Sequence, residues 1–296
     1  MNLEEGKRRF AVVTIFVIIA ALVAFLFLYK EDHRLHLYFF NIGQGDSQLI
    51  ETVNGKTILI DGGPADKAVL RELSRALPFW QRRIDLIIVT HPHDDHFGGL
   101  SSVLERYEVG VIMLSDIDST GAAYDEFLDQ VEEKSIPIIR PTRTQLHLDG
   151  VALDILAPVK SLAQQKISNP NNASIVFRLS YKTLDVLFTG DAEEPQEKEL
   201  LATTKDQLPS EILKLGHHGS DTSSSDAFLA AVKPEIAIAS AAVNNSYGHP
   251  SPRILKRLER LAIRIFRTDQ DGTIHFKTDG SSVFKGASCI IGCSSL

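Results

Sequence analysis

The chain opens with a hydrophobic pattern unlike the rest of it. Residues 10–29 run for 20 positions without a charge, behind Lys7, Arg8 and Arg9 and ahead of Lys30, Glu31 and Asp32. As helix at 1.5 Å per residue, such a run covers about 30 Å, the thickness of a bilayer's hydrocarbon core. It exceeds the apolar stretch of about 7–15 residues in a cleavable signal, and its bulky end lacks a small-x-small cleavage site. The expectation is one uncleaved transmembrane signal-anchor over residues 1–34. The basic triplet would keep the short N-terminus in the cytoplasm, leaving a single-pass membrane protein with its main domain extracytoplasmic.

Beyond residue 34 the pattern changes to short apolar runs. Residues 35–42, 47–53 and 56–60 read as strands, and Asn54-Gly55 between the last two is a strong hairpin signal. Residues 84–90 form a continuous apolar run of the buried-strand type. Helical spacing at 99–107 and 122–134 is followed by strands at 109–114 and 136–139. A second set of strands is predicted at 144–156, 174–181 and 184–188. Then come helix 194–202, strand 211–215, helix 225–232, strand 235–240, helix 252–261 and strands 264–267 and 273–277. Strands with interleaved helices, repeated in two halves, predict an α/β layered fold. No long Gly/Pro/Ser linker interrupts the stretch, so residues 35–286 read as one domain and 287–296 as a C-terminal tail.

Composition narrows the function classes. The net charge is −7, which excludes a protein that coats nucleic acid by charge alone but leaves room for a local basic groove. Two cysteines exclude a disulfide scaffold and a zinc site made of four cysteines, though an outside location permits a bond between Cys289 and Cys293.

The chemistry concentrates at residues 91–96, His-Pro-His-Asp-Asp-His, directly after the apolar strand 84–90. A loop leaving a buried strand at the sheet rim is a usual place for a site. His91 and His93 are spaced to converge on one ion, and Asp95 and His96 can turn toward a second about 3.5–4 Å away. Imidazole and carboxylate suit zinc, manganese or iron.

This H-x-H-x-D-H pattern resembles the first metal motif of the metallo-β-lactamase-fold hydrolases. Asn41-Ile42-Gly43-Gln44-Gly45-Asp46-Ser47 resembles the N-x-G-Q-G-D-S/A signature of the ComEC-type competence domain of that fold. Leu213 to Ser220 is similar to its L-K-x-x-H-H-G-S motif, Asn244 to Pro250 to its N-N-x-Y-G-H-P motif, and Arg267-Thr268-Asp269 with Gly272 to its closing motif. The resemblance runs from about residue 37 to 277 and implies an αββα four-layer sandwich. Since one hydrophobic span stands where a full ComEC has a polytopic channel, DNA transport is not implied.

The resemblance further implies two divalent metal ions, zinc or manganese. His91, His93, Asp95, His96, Asp191 and His217 would hold them, with Asp191 bridging both. Asp61 would orient a ligand histidine from behind. Of the adjacent pair, His217 is expected to complete the second metal, while Asp95, His218 and His249 carry catalytic roles. His249, in an Asn/Gly/Pro loop, is the rival ligand. Many family members have a histidine ahead of the strand preceding Asp191. Here Asn169, Pro170, Asn171 and Asn172 stand instead, so Asn172 or water would complete the first metal.

The activity implied is hydrolysis of a phosphodiester, with extracytoplasmic DNA as substrate and the membrane as partner. Arg253, Lys256, Arg257, Arg260, Arg264 and Arg267, opposed by Glu259 alone, form a candidate path for a phosphodiester backbone, although a solvated helix face explains them as well. Two rival readings follow from the same motifs. One is a hydrolase of small phosphodiesters or cell-surface phosphorylcholine. The other is a DNA- or surface-binding module with a vestigial site.

Overall fold

The computed structural model describes residues 3–28, 32–117, 121–163, 165 and 167–293. They divide into two compact units between His33 and Arg34. The first is one helix, α1 (Leu3–Leu28). Among the described residues no helix is long and apolar enough to cross a membrane, which corrects the expected transmembrane anchor. Five of the 26 residues of α1, Glu4, Glu5, Lys7, Arg8 and Arg9, are charged and occupy its first two turns. The end of the uncharged run, residues 29–31, lies outside the described residues.

The second unit contains sixteen strands and the remaining helices among its described residues. In chain order these begin with β1 (Leu35–Phe39), β2 (Gln48–Glu51), β3 (Thr57–Ile60), α2 (Ala68–Ala76), β4 (Arg83–Val89), α3 (Asp94–Phe97), α4 (Leu100–Arg106), β5 (Glu108–Leu114), α5 (Ala122–Glu133) and β6 (Ile138–Ile139). Then follow β7 (Thr144–Leu148), β8 (Val151–Ala157), β9 (Val176–Tyr181), β10 (Leu184–Phe188), α6 (Glu194–Thr203), β11 (Ile212–Lys214), α7 (Asp226–Val232) and β12 (Ile236–Ala239). The unit closes with α8 (Pro252–Arg260), β13 (Arg264–Arg267), α9 (Thr268–Asp271), β14 (Ile274–Thr278), β15 (Val283–Lys285) and β16 (Ser288–Ile291).

One sheet has nine strands in the order β16-β15-β14-β1-β2-β3-β4-β5-β6, and the other seven, β13-β12-β11-β10-β9-β8-β7. Period-2 alternation sorts their side chains. Leu35, Leu37 and Phe39 of β1, with Ile58 and Ile60 of β3, meet Phe177, Val186 and Phe188 in a core between the sheets. Tyr38, Leu59, Ile87 and Val89 point the other way and pack on α2, α4 and α5. On the far side, Leu187, Leu213 and Ala237 pack beneath α6, α7 and α8. The result is the four-layer αββα sandwich. Each fully buried Leu, Ile or Phe contributes about 1.5–3 kcal/mol of transfer free energy. Strands β3 to β6 run parallel, as do β10 to β13, so their C-terminal ends gather the loops that carry function.

Three stretches differ from the sequence reading. Residues 144–156 form a hairpin, not one strand, because Asp149 and Gly150 both adopt left-handed backbone (φ 49° and 84°). The Asp149 carboxylate then accepts hydrogen bonds from Thr52 Oγ1 and from Asn54 Nδ2, fastening the β2–β3 hairpin. Helix α2 is absent from the sequence reading, although Ala68, Val69 and Leu73, flanked by Leu70 and Ala76, line one amphipathic face. Residues 288–291, expected to be tail, pair with β15 as the edge strand, and Cys289 is disulfide-bonded to Cys293.

Candidate metal centre

The centre is built on the C-terminal ends of β3, β4, β10 and β11. Thr90 leaves β4 with its N–H donating to Asp61 Oδ1 at 2.8 Å and its hydroxyl donating to Oδ2 at 2.8 Å. Asp61, at the end of β3, holds left-handed backbone (φ 56°) and is wholly buried. Its Oδ2 also lies 2.8 Å from His96 Nδ1, which fixes that ring and aims Nε2 inward. Burial, outweighing the attraction of His96, raises the Asp61 pKa.

Two glycines let separate loops converge. A Cβ on Gly45 would sit 2.2 Å from the Asp95 carbonyl oxygen, so only glycine lets the 41–47 loop lie on the histidine loop. That approach lets Asp46 N donate to Asp95 O at 3.1 Å and buries the Asp46 side chain inside the centre. At Gly190 (φ 51°) a Cβ would meet Thr90 at 2.9 Å, and its absence brings the 189–191 turn onto β4. Asp191 N then donates to Ser174 Oγ at 3.1 Å, and Asp191 projects between the histidines.

Two groups of side chains offer metal-ligand atoms within 4.8 Å of one another. One is His91, His93 and Asp191; the other is Asp46, His96, Asp191 and His218. Asp191 belongs to both. His91 Nε2 is 3.8 Å and His96 Nε2 3.3 Å from Asp191 Oδ2, and His218 Nε2 is 3.6 Å from the same oxygen. Asp46 Oδ1, His96 Nε2, Asp191 Oδ1 and His218 Nδ1 are buried without hydrogen-bond partners. His218 Nδ1 faces Asp46 Oδ1 at 3.3 Å and His96 Nε2 faces Asp191 Oδ2 at 3.3 Å, charge pairs without aligned hydrogen bonds, so the buried atoms are ligand atoms that a cation could take over. The donor set, imidazole with carboxylate, fits divalent transition metals.

Charge is strongly coupled across the centre. Burial opposes the charge on His218, but Asp191 and Asp46 overcome it and push its pKa up to about 9. His96 is raised well above the usual histidine value by Asp191 and Asp61 against the same burial. Asp191 is held well below the carboxylate range because His96, His218 and His91 outweigh its desolvation. Asp46, buried but 2.7 Å from the equally buried Lys214 Nζ, falls to about 2. His91 and His93 move down, first by burial and then by the charge on His96, and so present neutral imidazoles.

Residues 41–243 match the Metallo-beta-lactamase superfamily. The chain belongs to that superfamily. Its relatives include ComE operon protein 3 of Bacillus subtilis (strain 168), 27% identical over 254 residues, which cover 80% of this chain and 32% of that protein. Competence protein ComA of Neisseria gonorrhoeae is 32% identical over 237 residues, covering 79% of this chain and 31% of the relative. The chain thus spans about a third of the length of these relatives. The metallo-beta-lactamase fold protein YhfI from Bacillus subtilis superposes with a TM-score of 0.54 at 12% identity, covering 82% of this chain and 99% of that one. The superfamily membership makes the two ligand groups candidate sites for divalent metals.

Of the site residues expected from the sequence, His91, His93 and Asp191 come together as one group, with Asn172 elsewhere, accepting from Gln196 N at 3.4 Å. His96 joins the second group, and Asp95 lies at its edge, 3.2 Å from His218 Nε2. His218, not His217, stands in the second group. His217 Nδ1 is instead 3.2 Å from Glu193 Oε1, with Nε2 4.0 Å from Asp191 and the side chain 26% exposed. Both histidines adopt left-handed backbone (φ 49° and 56°), which turns the second ring inward and the first toward solvent. His249 lies outside both groups, its ring 5.4 Å from that of His217, and burial followed by the charge of His217 lowers its pKa to about 4.

Two participants carry no role in the sequence reading. Asp46 lies inside a quoted motif, so its position is marked there though its chemistry is not. Lys214 is an apolar-strand residue whose side chain is 1% exposed, and burial of a lysine needs a carboxylate partner that only tertiary structure identifies.

Proposed function

We propose that the protein is a metal-dependent phosphodiesterase, a nuclease acting on extracytoplasmic DNA. The observation that carries the proposal is the pair of ligand groups sharing Asp191. Bound divalent metals would supply a water acidic enough to ionise near neutral pH and Lewis acidity toward a phosphoryl oxygen. The chain's own residues supply the rest. Asp61 holds His96 in the tautomer that presents Nε2, and Lys214 offsets the charge of Asp46 so that three carboxylates can share one pocket. His217, oriented by Glu193 and Thr222 at the solvent side, is positioned to contact a phosphate oxygen or pass a proton to the leaving oxygen. His249, whose pKa burial lowers to about 4, offers a neutral imidazole beside it.

Competence proteins among the relatives support DNA as the substrate class. The Cys289–Cys293 bond supports an oxidising, extracytoplasmic setting. Membrane association belongs to the same proposal, through the exposed apolar side chains of α1 such as Phe10, Val13 and Phe16. The decisive test is metal analysis of the full chain with a hydrolysis screen over DNA, RNA and small diesters under zinc and manganese. Bound metal with DNA cleavage is expected. Cleavage of small diesters alone would move the substrate class, and a metal-free, inert chain under every ion would end the hydrolase reading.

A further inference from the structure

The loop from β12 to α8 passes over the open side of the centre and contains a feature that the hydrolytic chemistry does not use. Tyr247 is 70% exposed. Its ring stacks on that of His249 at 5.8 Å and 25°. His249 in turn lies 5.4 Å from His217 and 6.2 Å from His218, ring to ring. The aromatic series therefore leads from solvent to the ligand groups.

The loop is held in place. Asn245 Oδ1 accepts from His249 N at 2.9 Å, and its Nδ2 donates to His249 O and Ala242 O at 2.6 and 3.0 Å. Ala242 N donates to Gln44 Oε1 at 3.3 Å, tying the loop to the segment that carries Asp46. Gly248 (φ 70°) makes the turn that returns His249 under Tyr247. An exposed ring on a pinned loop loses little freedom when a flat partner stacks on it.

Basic side chains follow the loop in sequence. Helix α8 begins just past this loop, and two of its arginines, Arg257 and Arg260, are engaged with Asp226. Arg253 and Lys256, exposed on the same helix, have no close ion pair among the described residues and share a surface cavity with Arg257, Arg260 and Asp226.

From these observations we propose that the 242–250 loop is a nucleobase platform: Tyr247 stacks an unpaired base of the substrate strand and sets the adjoining phosphodiester at His249 and the ligand groups. The inference rests on the phosphodiesterase reading and sharpens its substrate class to single-stranded nucleic acid. A base inside a duplex is already stacked on its neighbours and cannot also cover a side chain, whereas an unpaired base offers a free face.

The test is a binding titration of the full chain with a single-stranded DNA oligonucleotide, an abasic oligomer of equal length and a blunt duplex. It is run with and without manganese. Base–aromatic stacking predicts that Tyr247→Ala lowers the preference for the base-bearing strand over the abasic one by about 5- to 150-fold. Tyr247→Trp should restore it, with quenching of the new indole by the base-bearing strand beyond that of Trp80 in the wild type. Equal weakening of both oligomers, or an unquenched indole in a strand-bound variant, would overturn the platform. Cleavage of bis(p-nitrophenyl) phosphate is measured in parallel. A Tyr247-dependent preference without any hydrolysis supports the platform and removes the hydrolase reading. Hydrolysis with a base preference indifferent to Tyr247 does the reverse.

Discussion

The two ligand groups share one carboxylate and differ in almost everything else. His91, His93 and Asp191 form the smaller group, with His93 only half-buried and neutral imidazoles on two of its three positions. Asp46, His96, Asp191 and His218 form the larger, with all four side chains buried. The larger group is backed by Asp61 and Lys214, which lock His96 and neutralise Asp46. The smaller rests on hydroxyls, with Thr90 Oγ1 3.1 Å and Ser174 Oγ 3.5 Å from His91 Nδ1. A preorganised, charge-balanced site binds a cation more tightly than one with fewer ligands and more water. Two adjacent sites therefore need not be equivalent, and the expected affinities put the larger group ahead.

The largest effect should come from the residue that the groups share. Asp191→Ala is expected to empty both and to lower hydrolysis on the order of 10³-fold. Metal content by mass spectrometry checks it, and two retained equivalents at near wild-type rate would break the shared-carboxylate picture. Next comes the adjacent histidine pair. His218→Ala should lose the more tightly held metal and fail on every substrate. His217→Ala should keep its metal and fall by roughly 10²-fold, most on diesters with poor leaving groups. Metal loss in the His217 variant alone would return the ligand role to that residue.

A smaller change should follow from Asp61→Asn. Burial already raises the Asp61 pKa, so a neutral isostere is tolerated in the fold, while His96 loses its charged partner. Metal affinity should drop by about 10- to 100-fold, read by competition with a chelator. An unchanged affinity would mean that the larger group does not depend on its backing.

The smallest effect is on stability against pH. In the metal-free protein His218 titrates near 9, above its ordinary 6.5. Its stabilising charge is fully present below pH 6.5 and is lost as pH rises through 9. Melting temperature of the metal-free chain should therefore decline across that window. Metal displaces the same proton, so the loaded chain should gain on the metal-free one over the same range. A gap that stays constant from about pH 6.5 to 9 would separate His218 from the metal.

Legibility follows the distance between cooperating residues. Strand β4 and its histidine loop are readable because an apolar run and its ligands are contiguous. Helix α2 is nine residues long between Asp66-Lys67 and Pro78, so its amphipathic face, though present, spans too few turns to stand out from the loop residues around it. Residues 144–156 read as one strand because alternation continues through a turn set by two left-handed residues. The uncharged run at 10–29 reads as a membrane span, whereas no helix among the described residues is long and apolar enough to be one.

The layered α/β order, the strand-then-histidine loop and the motif positions around 41–47, 213–220 and 244–250 follow from the amino-acid sequence alone. Those features depend on local periodicity and on residue types that chemistry uses rarely elsewhere. Tertiary packing alone settles which of His217 and His218 turns inward, that Asp46 enters the larger group with Lys214 behind it, and that Tyr247 stands over His249. Such choices depend on backbone dihedrals at two consecutive residues and on contacts between segments over a hundred positions apart, and neither leaves a local trace in the chain.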